Sequence, residues 1–134
     1  TNSIITFFRS ELGRLVLDTE NTIFREWPFT FALPALFVAH DSSLDAQITS
    51  HQSPITDDEV VIIQGIIDIL VRTPDGLLVI DFKTDRITAE EVSERAELYR
   101  RQLDLYSKAA SAILKDKLLG KWLYFLRPAC AIEI

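Results

Sequence analysis

Apolar positions recur along this chain with two different periods. Over residues 3–17, Ile4, Ile5, Phe7, Phe8, Leu12, Leu15 and Val16 return at helical spacing, which predicts a helix capped by Ser3 with a wide apolar face. Residues 22–31 are rich in aromatic and β-branched types and predict a strand. Pro28 inside it points to a sheet edge or a bulge. Residues 39–58 are polar and turn-rich, with strands predicted on either side, so they read as a surface excursion. Residues 60–72 predict a strong strand. Thr73, Pro74, Asp75 and Gly76 then make a turn with Pro and Gly at favoured positions. Residues 77–83 predict a second strand, apolar on both faces and therefore central. Thr88 and Glu91 form a capping box for a long helix over about 89–118, closed by Gly120. Residues 122–126 and 129–134 predict two last strands. This order predicts one α/β domain over 1–134, with a central mixed sheet flanked by helices.

Composition narrows the function classes. Hydrophobic residues make up 48% and charged residues 25%, a globular balance that excludes a disordered tail or a collagen. The single cysteine, Cys130, excludes a disulfide framework and any Cys-ligated cluster held by this chain alone, and it fits a reducing, cytoplasmic setting. No apolar run approaches the roughly 20 residues of a membrane span, so no membrane partner is expected. The glycines, Gly13, Gly65, Gly76 and Gly120, leave no phosphate-binding loop, so ATP is not expected to bind here. The chain has no methionine, which leads to the expectation of a piece of a larger polypeptide.

Charge is distributed unevenly. Residues 1–80 hold four Lys/Arg against eleven Asp/Glu, a balance of −7, while residues 81–134 hold ten against nine, a balance of +1. Contacts with a polyanion are expected from the second part, or through bound cations.

Three charges interrupt the apolar hairpin: Asp68, Asp81 and Lys83. Burying an unpaired carboxylate costs several kcal/mol, on the order of a pairing interaction or more, so such groups need a reason. Alternation along a strand puts Asp81 and Lys83 on one face. If Thr73 pairs with Gly76, Asp68 lies opposite Asp81, and two carboxylates that close call for a proton or a cation between them. A hard divalent ion such as Mg²⁺ suits these oxygen ligands. Lys83 could then orient water or stabilise charge on phosphate. If Gly76 instead forms a bulge, which Pro-Asp-Gly favours, Asp68 turns away from Asp81 unless a second bulge lies nearer the aspartates. The alternative without a metal is a salt-bridged strand end. Tyr99, Gln102 and Tyr106 share one face of the long helix, and a glutamine in that stripe needs polar partners.

The strings Gln64-Gly-Ile-Ile-Asp68, Ile80-Asp-Phe-Lys-Thr-Asp85 and Tyr99-Arg-Arg-Gln-Leu-Asp-Leu-Tyr106, with FFRSELG, REWPF and KWLYFL elsewhere, resemble the RecB-type branch of the PD-(D/E)xK nucleases. Within it they look like the nuclease domains of AddA-type helicase-nuclease subunits, over nearly the whole chain except 39–58. The resemblance implies a restriction-endonuclease-like fold and a Mg²⁺-dependent DNA exonuclease, with Mn²⁺ as a second usable ion. Its parent would use ATP to unwind DNA in double-strand break repair and recombination, feed single strands to this site, and pair with an AddB-like partner. Asp68, Asp81 and the Phe82 carbonyl would hold the metal, and Lys83 would activate water. Gln102, Tyr106 and Tyr99 would support the site or touch DNA. Thr84 and Asp85 match the string without a derived duty, and Glu26 matches a strand glutamate with a structural role. The family's metal-binding histidine precedes the FFRSELG segment, so an upstream helix is expected to be missing. His40 and His51 lie outside the motifs and are not expected ligands. The rival reading is a nuclease-like domain that no longer cuts and serves DNA binding or subunit docking.

Overall fold

A computed structural model of the chain describes residues 2–34 and 60–134. Helices α1 (Asn2–Arg9) and α2 (Glu11–Leu17) lead into strands β1 (Thr22–Pro34), β2 (Val60–Thr73) and β3 (Gly76–Lys83). A 3-10 turn at Ala89–Glu91 opens α3 (Val92–Leu114), and β4 (Leu118–Phe125) and β5 (Cys130–Glu133) follow. The strands form one sheet in the order β1-β2-β3-β4-β5. β3 and β4 run parallel, joined by the crossover through α3, and the other neighbours are antiparallel. This is the expected α/β architecture with a central mixed sheet.

Helices cover both faces of β3, which explains its unbroken apolar run. On one face Val92, Ala96 and Leu103 of α3 pack on Leu77, Val79 and Leu123. On the other, Phe7, Leu12 and Val16 of α1 and α2 pack on Ile69, Ile80 and Tyr124. Since Leu77 and Val79 face α3, alternation carries Asp81 and Lys83 to that same side.

Two sequence expectations are corrected. The first helix is two. It starts at Asn2, so Ser3 lies inside its first turn, and it breaks at Ser10, whose extended backbone (φ −77°, ψ 170°) caps α2. Ser10 Oγ accepts from the Gly13 N–H at 3.2 Å and donates to the Phe7 carbonyl at 2.5 Å. The break lets Phe7 meet Phe82 and Tyr124 edge-on, with ring centroids 4.8 and 4.9 Å away. The apolar spacing could not reveal this, because two short stripes in series resemble one wide stripe.

The long helix also ends earlier than expected. It stops at Leu114, where Lys115 turns left-handed (φ 53°), and Gly120 lies within β4 opposite Leu78 rather than capping a helix. Leu118 already pairs with Leu77, so strand pairing claims residues that helical spacing also fitted. The capping box of Thr88 and Glu91 is present. β1 is the sheet edge, which tolerates Pro28, and it runs on to Pro34. The stretch 39–58, with His40 and His51, lies outside the described residues.

Candidate functional site

The turn between β2 and β3 decides the geometry of everything at its far end. Thr73 pairs directly with Gly76, and the ladder runs unbulged to Ile69 opposite Ile80. The Thr73 hydroxyl holds this register: it accepts from the N–H groups of Asp75 and Gly76, both at 3.1 Å, and donates to the Gly76 carbonyl at 2.9 Å. Gly76 has φ 151°, which side-chain-bearing residues rarely adopt.

One step beyond Ile69 and Ile80 the ladder gives way. The Phe82 N–H donates to Oδ2 of Asp68 at 2.8 Å, so a side chain of β2 stands where a backbone partner would otherwise be. The other edge of β2 lapses at the same level. Arg25 pairs with Ile69 and Trp27 with Ile67, leaving Glu26 opposite Asp68 and outside the ladder. Glu26 has φ 46°, a left-handed conformation that is costly within a strand.

Asp68 and Asp81 therefore come together. Burial first, then the hydrogen bond and charge of Asp68, push the Asp81 carboxyl up to about 6, against the opposing pull of Lys83. Lys83 Nζ lies 2.8 Å from Asp81 Oδ2, and both side chains are under a fifth exposed, so this is not a loose surface pair. The same ammonium sits 4.0 Å from the centroid of the Tyr99 ring, within cation–π range.

Tyr99 is fixed in turn. Its hydroxyl donates to Asp85 at 2.9 and 3.1 Å, and Arg95 donates to Asp85 Oδ2 at 2.6 Å. Burial raises the Asp85 carboxyl, but the hydrogen bonds from Arg95 and Tyr99 outweigh it and hold it below the usual range. Burial and the bond to Asp85 push the Tyr99 phenol up.

The expected helical trio divides its contacts. Tyr99 joins Lys83, whereas Gln102 donates its amide to the Tyr106 hydroxyl at 3.4 Å. Tyr106 lies edge-on to Phe29 at 5.0 Å and directly over Gly65. A Cβ on Gly65 would come within 2.4 Å of that ring, so any side chain there would displace the Tyr106 ring from its seat on β2.

Sequence reasoning missed Asp85 and Arg95 as members of this constellation. A signal existed: the capping box fixes the start of α3, and Arg95 and Tyr99 follow Glu91 at four-residue steps on one face.

A cavity of about 520 Å³ opens on the α1 side, lined among others by Phe7, Arg25, Glu26, Asp68, Phe82 and Thr84. Among the described residues no group of three or more His, Cys, Asp or Glu side chains gathers as a metal cluster. What does gather is a pair of carboxylates, one resisting ionisation, beside the backbone of Phe82. Two hard oxygen donors fit Mg²⁺, which keeps much of its water shell and takes its remaining ligands from phosphate.

The family model described as PD-(D/E)XK nuclease superfamily matches residues 9–131. The chain is similar to a subunit of the ATP-dependent helicase/nuclease of Listeria innocua serovar 6a, at 35% identity over 141 positions, covering 99% of this chain and 10% of the relative. The corresponding helicase/nuclease chain of Bacillus velezensis is 37% identical over 129 positions, covering 91% and 9% respectively. That of Clostridium beijerinckii is 38% identical over 124 positions, covering 90% and 9%. The chain thus spans about a tenth of the length of the curated relatives it matches.

Proposed function

The chain belongs to the PD-(D/E)XK nuclease superfamily, and from that premise we propose that it is the nuclease domain of an ATP-dependent helicase/nuclease, hydrolysing phosphodiesters in DNA. The observation that carries this reading is the splayed end of the β2–β3 hairpin, where Asp68, Asp81 and Lys83 meet. A fold seldom gathers partly buried charges at the end of a central strand without a use for them.

In this reading Asp68, Asp81 and the Phe82 carbonyl would hold Mg²⁺, with Mn²⁺ as a substitute. When bound, the ion lowers the pKa of the attacking water and neutralises charge on the phosphate. Asp81 supplies an acceptor already desolvated by burial. Lys83 Nζ, beside Asp81 Oδ2, aims a donor at the water and at the developing phosphorane charge. Water oxygen bonds to phosphorus, the P–O bond to the leaving strand breaks, and the products are a phosphate and a hydroxyl end. Tyr99 supports Lys83 from below, while Gln102 and Tyr106 form a polar rim over β2. The DNA would be single strand fed by the helicase portion of the same polypeptide, assembled with an AddB-like partner during double-strand break processing in the cytoplasm. Among the described residues no helix is long and apolar enough to cross a membrane.

The test uses the full-length protein that carries this chain. Asp81→Ala and Lys83→Ala each lose DNA cleavage by at least ~10²-fold while ATP-driven unwinding persists. Cleavage retained in either variant overturns the assignment. A second reading is a nuclease-like domain that binds DNA or docks another protein without cutting. It is favoured by the lack of a three-ligand cluster among the described residues.

A further inference from the structure

Resting on that reading, we infer that Asp85 and Arg95 are positioning residues, which hold the Tyr99 ring beneath the Lys83 ammonium and so set where the lysine points. The chain of contacts is continuous. Arg95 holds Asp85 at 2.6 Å, Asp85 accepts from the Tyr99 hydroxyl at 2.9 Å, and the Tyr99 ring centroid lies 4.0 Å from Lys83 Nζ. The lysine is the link from this chain to Asp81, which it meets at 2.8 Å.

The arrangement addresses a specific problem. Lysine is a point charge on a flexible stem, with no geometry of its own to hold a direction. Lys83 Nζ pairs with Asp81 in this structure. A cation engaging Asp81 would compete with that pair and leave the ammonium without a fixed partner. The π face of Tyr99 supplies a second, charge-free hold on the lysine. A face holds a cation only while the ring keeps its tilt, and that tilt is set at the phenol end by Asp85. Asp85 would be a poor anchor alone, since a carboxylate in a loop can swing. Arg95, one helical turn before Tyr99 on α3, ties it to the same helix that carries the ring. Asp85 follows β3 by two residues, so the strand bearing Lys83 and the helix bearing Tyr99 are joined at this point. The hold on the lysine is thus referenced to both elements.

The experiment measures steady-state cleavage of single-stranded DNA by the full-length protein at saturating Mg²⁺, with kcat, KM for DNA and thermal midpoint recorded for every variant. Tyr99→Phe keeps the ring and cuts its tie to Asp85. Asp85→Asn keeps the shape and weakens both bonds. Each is expected to lower kcat roughly ten-fold, short of the ~10²-fold that a 1 Å misplacement brings, with KM changed less than about two-fold. The double variant falls no further than the deeper single, since both break one path. Arg95→Lys retains most of kcat, whereas Arg95→Gln does not. An unchanged kcat in Tyr99→Phe, a loss confined to KM, or additive losses in the double variant would each overturn the inference. If Asp85→Asn unfolds, the milder Tyr99→Phe still decides. Lys83→Ala separates the two levels: its retained cleavage defeats the nuclease reading itself, while its inactivity beside a normal Tyr99→Phe defeats only the positioning role.

Discussion

At the turn end of the β2–β3 hairpin, Leu70, Val71, Leu77 and Val79 are fully buried and paired in an unbroken ladder. A short way along, the same two strands hold Asp68, Asp81 and Lys83, and the ladder is replaced by a side-chain bond from Asp68 to the Phe82 N–H. Both ends lie between the same helical layers, and even the charged end keeps Asp81 and Lys83 under a fifth exposed. What differs is the use made of burial. At the turn end it removes apolar surface from water and stabilises the fold. At the open end it desolvates the Asp81 carboxyl and weakens the fold, in exchange, on the proposed reading, for a group that can take a cation. The stable end fixes the register, and the register aims the unstable end.

That comparison can be tested from both sides. The largest effect on stability belongs to the last apolar rung before the site. Ile80 is fully buried, and Ile80→Ala is expected to cost about 2–5 kcal/mol in urea unfolding. A cost near zero would mean that the ladder end is not the structural half of the hairpin.

Asp81→Asn should act in the opposite sense. Asp81 has a folded pKa of about 6 against an ordinary value of 3.8. Its contribution to stability is full below the ordinary value and lost as pH rises through about 6. The metal-free protein should therefore lose on the order of 1 kcal/mol between about pH 5 and about pH 7, and Asp81→Asn should flatten that slope. Asp85, Glu91 and Glu97 are held low, so their losses fall at more acid pH and do not mask it. A slope unchanged by the substitution would show that the open end carries no strained carboxylate.

The smallest effect lies in the turn. Thr73→Ala removes three hydrogen bonds of one hydroxyl, partly replaced by water, and should cost about 0.5–1.5 kcal/mol. Its sharper consequence is on cleavage. If the turn relaxes to the bulged form, Asp68 leaves Asp81, and activity falls by more than the stability change explains.

Local features of the fold were legible in the sequence because they depend on neighbours in the chain. The hairpin, the central position of β3, the long helix and its capping box all follow from spacing and turn residues. The break at Ser10 and the end of α3 at Lys115 were not. The first is set by Phe7 reaching Phe82 and Tyr124 across the sheet, and the second by Leu118 pairing with Leu77. The candidate site was legible as a set of residues, Asp68, Asp81 and Lys83, which the structure brings together, but not as a geometry. Pro74-Asp75-Gly76 is compatible with two registers and favours the bulged one, whereas the structure takes the unbulged one, with the three bonds of the Thr73 hydroxyl across the turn. The duties of Asp85 and Arg95 were not read, because their contact closes over the loop between β3 and α3 and spacing does not say which way a loop folds back. The strain at Glu26 likewise appears only when β1 and β2 lose a rung together.

The most direct test of the central claim, that the open end of the hairpin is a cation site, is calorimetric titration of the nucleotide-free, full-length protein with Mn²⁺. A binding heat is expected that Asp81→Ala abolishes. No heat at all, or the same heat in the Asp81→Ala variant, would contradict it.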